Sequence, residues 1–149
     1  MATKRFPKRL VHQDFHTSPD IPDIGSRFTK EKFQNALKVG NVSSITVFAK
    51  CHHGYCYYPT EVGSMHPGLG FDLLGEMIDA AHEIGVNAPV YITAGWSHKD
   101  ATEHPEWVSK NKDGSEQCVR FDKDALPEDK KPYCSWQTLC LNDNSYCQH

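Results

Sequence analysis

Side chains that can bind a polar ligand follow three apolar stretches of the sequence. They are Asp14, His16, His52, His53, Tyr55 and Trp96. Histidine and aspartate form directional hydrogen bonds to hydroxyl groups, and tyrosine and tryptophan present flat apolar faces with a polar edge. This combination of residue types favours a sugar as the ligand.

A phosphate or a metal ion suits the same residues less well. None of the apolar stretches is followed by a glycine-rich phosphate-binding motif. Asp14, His52 and His53 could act as ligands in a metal-dependent hydrolase, but adjacent histidines in an extended segment point to opposite sides. We therefore expect neither a metal ion nor a cofactor at this site.

Two loose groups of cysteine and histidine raise the alternative of a zinc-binding structural module. Their members are Cys51, His52, His53 and Cys56 in the first group, and Cys134, Cys140, Cys147 and His149 in the second. Neither group has the paired C-x-x-C spacing of a zinc site. Free, partly buried thiols are the favoured interpretation because such thiols are common in protein cores.

The three apolar stretches are interpreted as parallel strands of an α/β fold. They lie at 9–15, 43–51 and 88–96. The second and third are nearly continuous in apolar character, as in strands covered on both faces. One helix is expected between Thr29, which can cap it, and Gly40, and a second over 71–84. Because the carboxyl ends of parallel strands meet at one edge of a sheet, the polar residues that follow them should lie together.

The remaining segments are expected to be mostly loop. Residues 52–70 contain several glycines and prolines, and a connection of this length often indicates function. The region 97–149 is interpreted as a long loop region in which the sequence allows a short helix around 101–108 and a further strand at 136–141. Residues 110–131 are rich in charge and are expected to be solvated.

Charge and hydropathy exclude two classes of partner. The formal charge of the 149-residue chain is −3, and its charges are interspersed, so no basic face is available for nucleic acid. No stretch reaches the roughly 20 apolar residues that cross a bilayer. The basic N-terminus lacks the apolar run of a secretory signal. We therefore expect a cytoplasmic protein that binds neither nucleic acid nor a membrane.

Two groups of segments in the sequence resemble known glycoside hydrolases. Residues 46–55 (TVFAKCHHGY) and 57–60 (YYPT) look like the second-strand motif of the α-L-fucosidase group. Residues 71–85 (FDLLGEMIDAAHEIG) and 89–96 (PVYITAGW), with HPEW at 104–107, resemble a group described as glycosyl hydrolases with a (β/α)₈ barrel. The resemblance extends over most of the chain, from Arg9 to Asn142.

This resemblance implies that residues 1–149 form the N-terminal part, about three βα units, of an incomplete (β/α)₈ barrel. It also implies a retaining sugar hydrolase with two catalytic carboxyl groups, in which His52 and His53 bind substrate hydroxyls and Trp96 lies near the sugar. Cys51 before the histidine pair and Gly54 directly after it depart from the fucosidase pattern, which weakens the inference of fucose specificity. The fucosidase nucleophile follows the fourth strand, so we expect it beyond the end of this chain.

Other interpretations of the chain remain open at this point. A catalytic pair among Asp14, Glu61, Glu103 and Glu106 is one of them, although Glu103 and Glu106 flank Pro105 and have the pattern of solvated carboxylates. A non-catalytic carbohydrate-binding module that uses His52, His53 and Trp96 is another. An incomplete parallel sheet exposes an edge, so we also expect self-association.

Overall fold

The computed structural model describes residues 8–120 and 135–148. Its elements are β1 (Leu10–His12), α1 (Lys30–Val39), β2 (Ser44–Lys50), β3 (Tyr55–Cys56), β4 (Ser64–Met65), α2 (Leu73–Glu83), β5 (Val90–Ile92), α3 (His98–Glu103), a 3-10 turn (Pro105–Trp107), β6 (Cys118–Arg120), β7 (Ser135–Gln137) and α4 (Asn144–Gln148). Together they form a mixed α/β structure with a parallel-rich sheet, and the expected order of strand, helix, strand, helix, strand is confirmed.

The central strand of the main sheet is β2. It pairs in parallel with β1 on one side, where His12 lies opposite Thr46, and with β5 on the other, where Tyr91 lies opposite Phe48. The short strand β3 pairs antiparallel with the end of β2, and β4 extends it. The segment 52–70, expected to be loop, therefore contains a small extension of the sheet.

Capping residues determine where α1 and α2 begin. The Thr29 hydroxyl accepts the Lys32 N–H at 3.3 Å, as expected. Asp72 caps α2 by accepting the Gly75 N–H at 2.8 Å, so this helix begins at Leu73, two residues later than its apolar pattern indicated. No helix in the two described ranges is both long and apolar enough to cross a lipid bilayer.

The main core lies between β2 and the two helices. Ile45 and Val47 of β2 are buried with Leu37 of α1 and with Met77 and Ala81 of α2. Val47 and Ala81 are completely inaccessible to solvent. The expectation of a fully covered central strand is thus confirmed for β2.

The same expectation was wrong for the third strand. β5 covers only Val90–Ile92, and Val90 and Ile92 are 48% and 60% exposed. Among the described residues, β5 pairs with β2 and with no strand on its other side. Its apolar sequence is that of a covered strand, but coverage depends on neighbouring elements, and the described residues supply none there.

The region 97–149 contains more regular structure than its composition indicates. Its first helix, α3, begins at His98 rather than near 101, because the Ser97 hydroxyl caps it by accepting the Asp100 N–H at 3.3 Å. A small second core joins Trp107 and Val108 to Leu139. β7 overlaps the first part of the expected strand at 136–141 and pairs with β6. Of the charged segment 110–131, residues 121–131 lie outside the described part of the chain.

Candidate functional site

The parallel pairing of β1 with β2 brings together the segments that follow them. The ladder continues past the end of β1, where the Gln13 N–H donates to the Thr46 carbonyl at 3.2 Å. Asp14 and His16 therefore leave the sheet at the same edge as His52 and His53. The sequence-based expectation that these residues lie close together agrees with the contacts observed at this edge.

The rings of His16 and His52 stack, with centroids 3.8 Å apart and planes inclined by 26°. The His52 backbone N–H also donates to His16 Nδ1 at 3.3 Å. Because Nδ1 accepts this hydrogen bond, a neutral His16 carries its proton on Nε2, which lies 3.3 Å from Asp14 Oδ1. Asp14 therefore orients His16, and His16 holds the backbone of His52. We call Asp14, His16, His52 and His53 the histidine cluster.

Burial keeps the imidazoles of this cluster uncharged. Burial, together with the neighbouring His16 and His53, lowers the pKa of His52 to about 4. Burial likewise lowers the pKa of His53, with His16 and His98 adding to the effect. It also lowers the pKa of His16, although the Asp14 carboxylate acts in the opposite direction. A neutral imidazole has one donor and one acceptor nitrogen, which suits a hydroxyl ligand.

Two aromatic rings form an apolar wall beside the histidine cluster. Phe48 and Tyr91 stack across β2 and β5 with centroids 4.3 Å apart. His16 meets the face of this pair edge-on, 4.9 Å from the Phe48 ring. These rings were not among the predicted site residues. The alternation of side chains along β2 could have identified Phe48, because it places Phe48 on the same face of the strand as Lys50.

The loop after β2 is fixed to the start of α3. The His98 N–H donates to the His52 carbonyl at 2.9 Å, and the Lys99 N–H donates to the His53 carbonyl at 3.2 Å. Gly54 follows with φ at +96°, a left-handed conformation that favours glycine. A buried ion pair between Lys50 Nζ and Asp100 Oδ2, at 2.6 Å, joins the same strand to the same helix.

Tyr55 and Trp96 occupy separate surroundings. Tyr55 contacts His66, with ring centroids 5.6 Å apart. It also lines a cavity with His53 and His98, on the α3 side of the histidine cluster. Trp96 is 40% exposed, and its carbonyl accepts the Thr93 hydroxyl at 2.9 Å. Sugar contacts by either residue stay predictions.

The described residues do not assemble a metal centre. Within 8–120 and 135–148, no three His, Cys, Asp or Glu side chains are grouped as a metal ion requires. In the first candidate zinc group, Cys51 and Cys56 are buried free thiols. The second group includes Cys134 and His149, which lie outside the described residues.

Comparison with known families decides the affiliation of the chain. The model of a family described as hypothetical glycosyl hydrolase 6 matches residues 29–149. The chain belongs to this glycosyl hydrolase family. A comparison with curated protein sequences found no match.

Solved structures show which other proteins this chain is similar to. It is 45% identical to α-L-fucosidase isoenzyme 2 from Paenibacillus thiaminolyticus, with a TM-score of 0.80 over 94% of this chain and 20% of the fucosidase. Two further solved structures share the fold, each over 94% of this chain and 33% of the matched chain. They are an α-amylase from Lactobacillus plantarum, at 18% identity and a TM-score of 0.52, and the maltogenic α-amylase AmyB from Thermotoga neapolitana, at 13% identity and a TM-score of 0.51. The chain thus spans about a fifth of the length of the fucosidase that it matches.

Proposed function

We propose that this chain forms about three βα units of a (β/α)₈ glycoside hydrolase domain and binds a sugar at the carboxyl-terminal edge of its parallel strands. The parallel order β1-β2-β5 supports a barrel segment, since neighbouring strands of such barrels follow one another in sequence. The likeness to a fifth of an α-L-fucosidase supports an enzyme in which further units complete the sheet.

The observation that carries this proposal is the arrangement of the histidine cluster. Asp14, with a side chain that is 72% exposed, has acceptor capacity beyond its contact with His16. The neutral histidines supply paired donor and acceptor nitrogens. The partly exposed ring of Tyr91 lies beside them and stacks on the buried Phe48, and an aromatic ring of this kind suits the C–H face of a sugar ring.

The α-L-fucosidase relationship supports an α-L-fucoside as the substrate class. Retaining glycosidases use two carboxyl groups about 5–5.5 Å apart. Three acids near this edge already contact a neighbouring side chain: Asp14 lies beside the neutral His16, and Asp100 and Glu103 form ion pairs with Lys50 and Lys99. We propose that other parts of the domain contribute the nucleophile and that this chain alone binds sugar but hydrolyses it slowly or not at all.

Sugar titration tests the binding site directly. L-fucose and D-galactose would be titrated into the chain while the NMR signals of His16, His52 and Tyr91 are followed. Replacing His53, which is only partly buried, with alanine should weaken binding roughly tenfold, the loss of one good hydrogen bond. The matched control is His82→Ala, on the exposed face of α2. Absence of any shift in the histidine cluster would overturn the proposed site.

A second candidate is a non-catalytic carbohydrate-binding module. The contacts that Asp14, Asp100 and Glu103 already make with His16, Lys50 and Lys99 favour it. Assays with nitrophenyl α-L-fucoside separate the candidates, because a module binds sugar without turnover in any longer form of the protein. Clear turnover by this chain that is lost on replacing Asp14 or Glu61 would contradict both the module and our placement of the nucleophile elsewhere.

The state of the cysteines supports a cytoplasmic setting, which we include in the proposal. Cys51 and Cys56 are buried free thiols, and Cys140 and Cys147 are free as well. Thiols persist in this form in a reducing compartment. Fractionation of cells that express the protein tests the location.

A further inference from the structure

The segment that carries His16 has no regular structure of its own. β1 ends at His12, and residues 13–18 belong to no helix or strand. Even so, the His16 ring stacks on His52 with centroids 3.8 Å apart and accepts the His52 backbone N–H. A segment outside regular structure opens easily unless other parts of the molecule hold it. We therefore looked for the groups that fix the backbone on either side of His16.

The hydroxyl of Tyr57 contacts the residues on both sides of His16. It donates to the Phe15 carbonyl at 2.7 Å, and its oxygen accepts the Thr17 N–H at 3.2 Å. The Thr17 hydroxyl also lies 2.7 Å from this oxygen. The Phe15 and Tyr57 rings pack with centroids 4.9 Å apart. A single hydroxyl thus holds the backbone directly before and directly after the histidine.

Tyr57 is itself fixed by the main core. Its N–H donates to the Ala49 carbonyl of β2 at 2.9 Å, and its carbonyl accepts the Leu74 N–H at the start of α2 at 3.0 Å. The residue is completely inaccessible to solvent. Burial raises the pKa of the Tyr57 hydroxyl, so the group stays protonated and remains a donor. The segment that carries His16 is therefore attached to a rigid point.

We propose that Tyr57 is a positioning residue of the sugar site, whose hydroxyl places the His16 ring against His52. This inference rests on the proposed function. With His16 Nδ1 held by the His52 N–H, the proton stays on Nε2 beside Asp14, so the site keeps one arrangement of donor and acceptor. A site arranged in advance loses less conformational entropy when a ligand binds. Tyr57 is buried and acts through His16 rather than by touching the sugar.

Removing the hydroxyl alone tests this role in the full chain. In Tyr57→Phe, we expect the nitrogen NMR signals of the His16 ring to report a mixture of tautomers and the His52 amide to exchange faster. Affinity for L-fucose should fall roughly tenfold, because the sugar must then order His16 as it binds. A variant that loses stability but keeps the wild-type tautomer and affinity would overturn the proposal. The control is Leu37→Ala, in the core under α1, which should lower stability and leave both readouts unchanged.

A double-mutant cycle tests whether Tyr57 acts through His16. Adding Tyr57→Phe to His16→Ala should cause no further loss of affinity for L-fucose, because the ring that Tyr57 positions is already absent. Equal losses in the wild-type and His16→Ala backgrounds would show that Tyr57 acts by another route.

The two readouts separate this inference from the proposed function. If the wild-type chain binds no L-fucose, the proposed function fails, whereas the His16 tautomer in wild-type and Tyr57→Phe still decides the positioning role. Thr17→Val removes one contact of the Tyr57 hydroxyl. It should change the tautomer and the His52 amide exchange in the same direction by a smaller amount, and it decides the question if Tyr57→Phe fails to fold.

Discussion

Burial determines the charge of His52. Its ring stacks between His16 and His53 at the end of β2, and only 6% of the residue is accessible to solvent. A charge placed there would lose its hydration and lie beside other imidazoles, which is why the pKa of His52 falls to about 4. The site therefore offers neutral rings at physiological pH.

This low pKa predicts that stability depends on pH. The unfolded chain binds a proton at His52 near pH 6.5, but the folded chain does so only near pH 4. The free energy of unfolding should therefore have its full value above pH 6.5 and should decrease as the pH falls from 6.5 to about 4. Protonation of His52 should lower the free energy of unfolding by about 2 kcal/mol at the lower end of this pH range.

Urea unfolding at pH 7.5 and at pH 5 measures this effect. His52→Asn, which cannot be protonated, should show a smaller loss of stability between the two values than the wild-type chain. An identical loss in both proteins would contradict the pKa assigned to His52.

The buried Lys50–Asp100 pair is the second strong electrostatic feature. The side chains of Lys50 and Asp100 are only 15% and 8% exposed. Replacing Asp100 with alanine should destabilise the chain by about 3–5 kcal/mol, because it leaves an unpaired ammonium group in a buried position. Urea unfolding would measure the loss.

An exposed ion pair is the matched control for this prediction. In the Lys30–Glu83 pair, the side chains are 40% and 51% exposed. Glu83→Ala should cost much less stability than Asp100→Ala, because solvent already screens the Lys30–Glu83 pair. Similar losses in Asp100→Ala and Glu83→Ala would show that the Lys50–Asp100 pair is not effectively buried.

At the scale of elements, the close approach of the loop after β2 to α3 depends on Gly54. A Cβ atom there would lie 2.6 Å from Lys99 Cβ and 2.6 Å from Ser97 Oγ, and the φ angle of +96° disfavours any other residue. The hydrogen bonds from His98 and Lys99 to the carbonyls of His52 and His53 hold the two segments at this distance.

Gly54→Ala should separate the loop from α3. We expect a loss of stability of about 2–3 kcal/mol from the strained backbone and the steric overlap, together with faster amide exchange at His98 and Lys99. The control is Gly70→Ala, because a Cβ there meets nothing within 4 Å, and it should change stability by less than about 1 kcal/mol. Protection of the His98 and Lys99 amides in Gly54→Ala at wild-type levels would contradict this account.

At the scale of the whole molecule, we propose that the outer edge of β5 mediates self-association. Val90 and Ile92 are about half exposed or more, and among the described residues β5 has a partner strand on one side only. An apolar strand with an unpaired edge is a template for pairing with another chain. In a complete barrel the next strand would cover it.

We therefore predict concentration-dependent self-association through β5. Ile92→Lys should weaken association roughly tenfold or more, because a charge would be buried in the contact. The control is Val39→Lys, at a residue that is 80% exposed at the end of α1. Sedimentation velocity measures both, and a wild-type chain that stays monomeric at high concentration would contradict the prediction.

Local pattern accounts for much of the fold. The apolar spacing and Thr29 predicted α1, the stripe that includes Met77 and Ala81 predicted α2, and the β-branched run of β2 predicted a buried central strand. The placement of polar residues after parallel strands predicted that His16 and His52 would be neighbours. These features depend on contacts close in sequence or on the general rule that parallel strands end at one edge, and both can be inferred from the residues alone.

Tertiary contacts decided the rest. The exposure of β5, the pairing of Lys50 with Asp100 and the contact of Tyr57 with Thr17 each depend on which distant segments meet. The tautomer of His16 depends on a backbone N–H that is 36 positions away. Residue types and their spacing indicate which segments can form strands and helices and which side chains can hydrogen-bond to a hydroxyl group. Only the tertiary structure determined their partners, burial and charge, because those properties arise from the environment that surrounds each side chain.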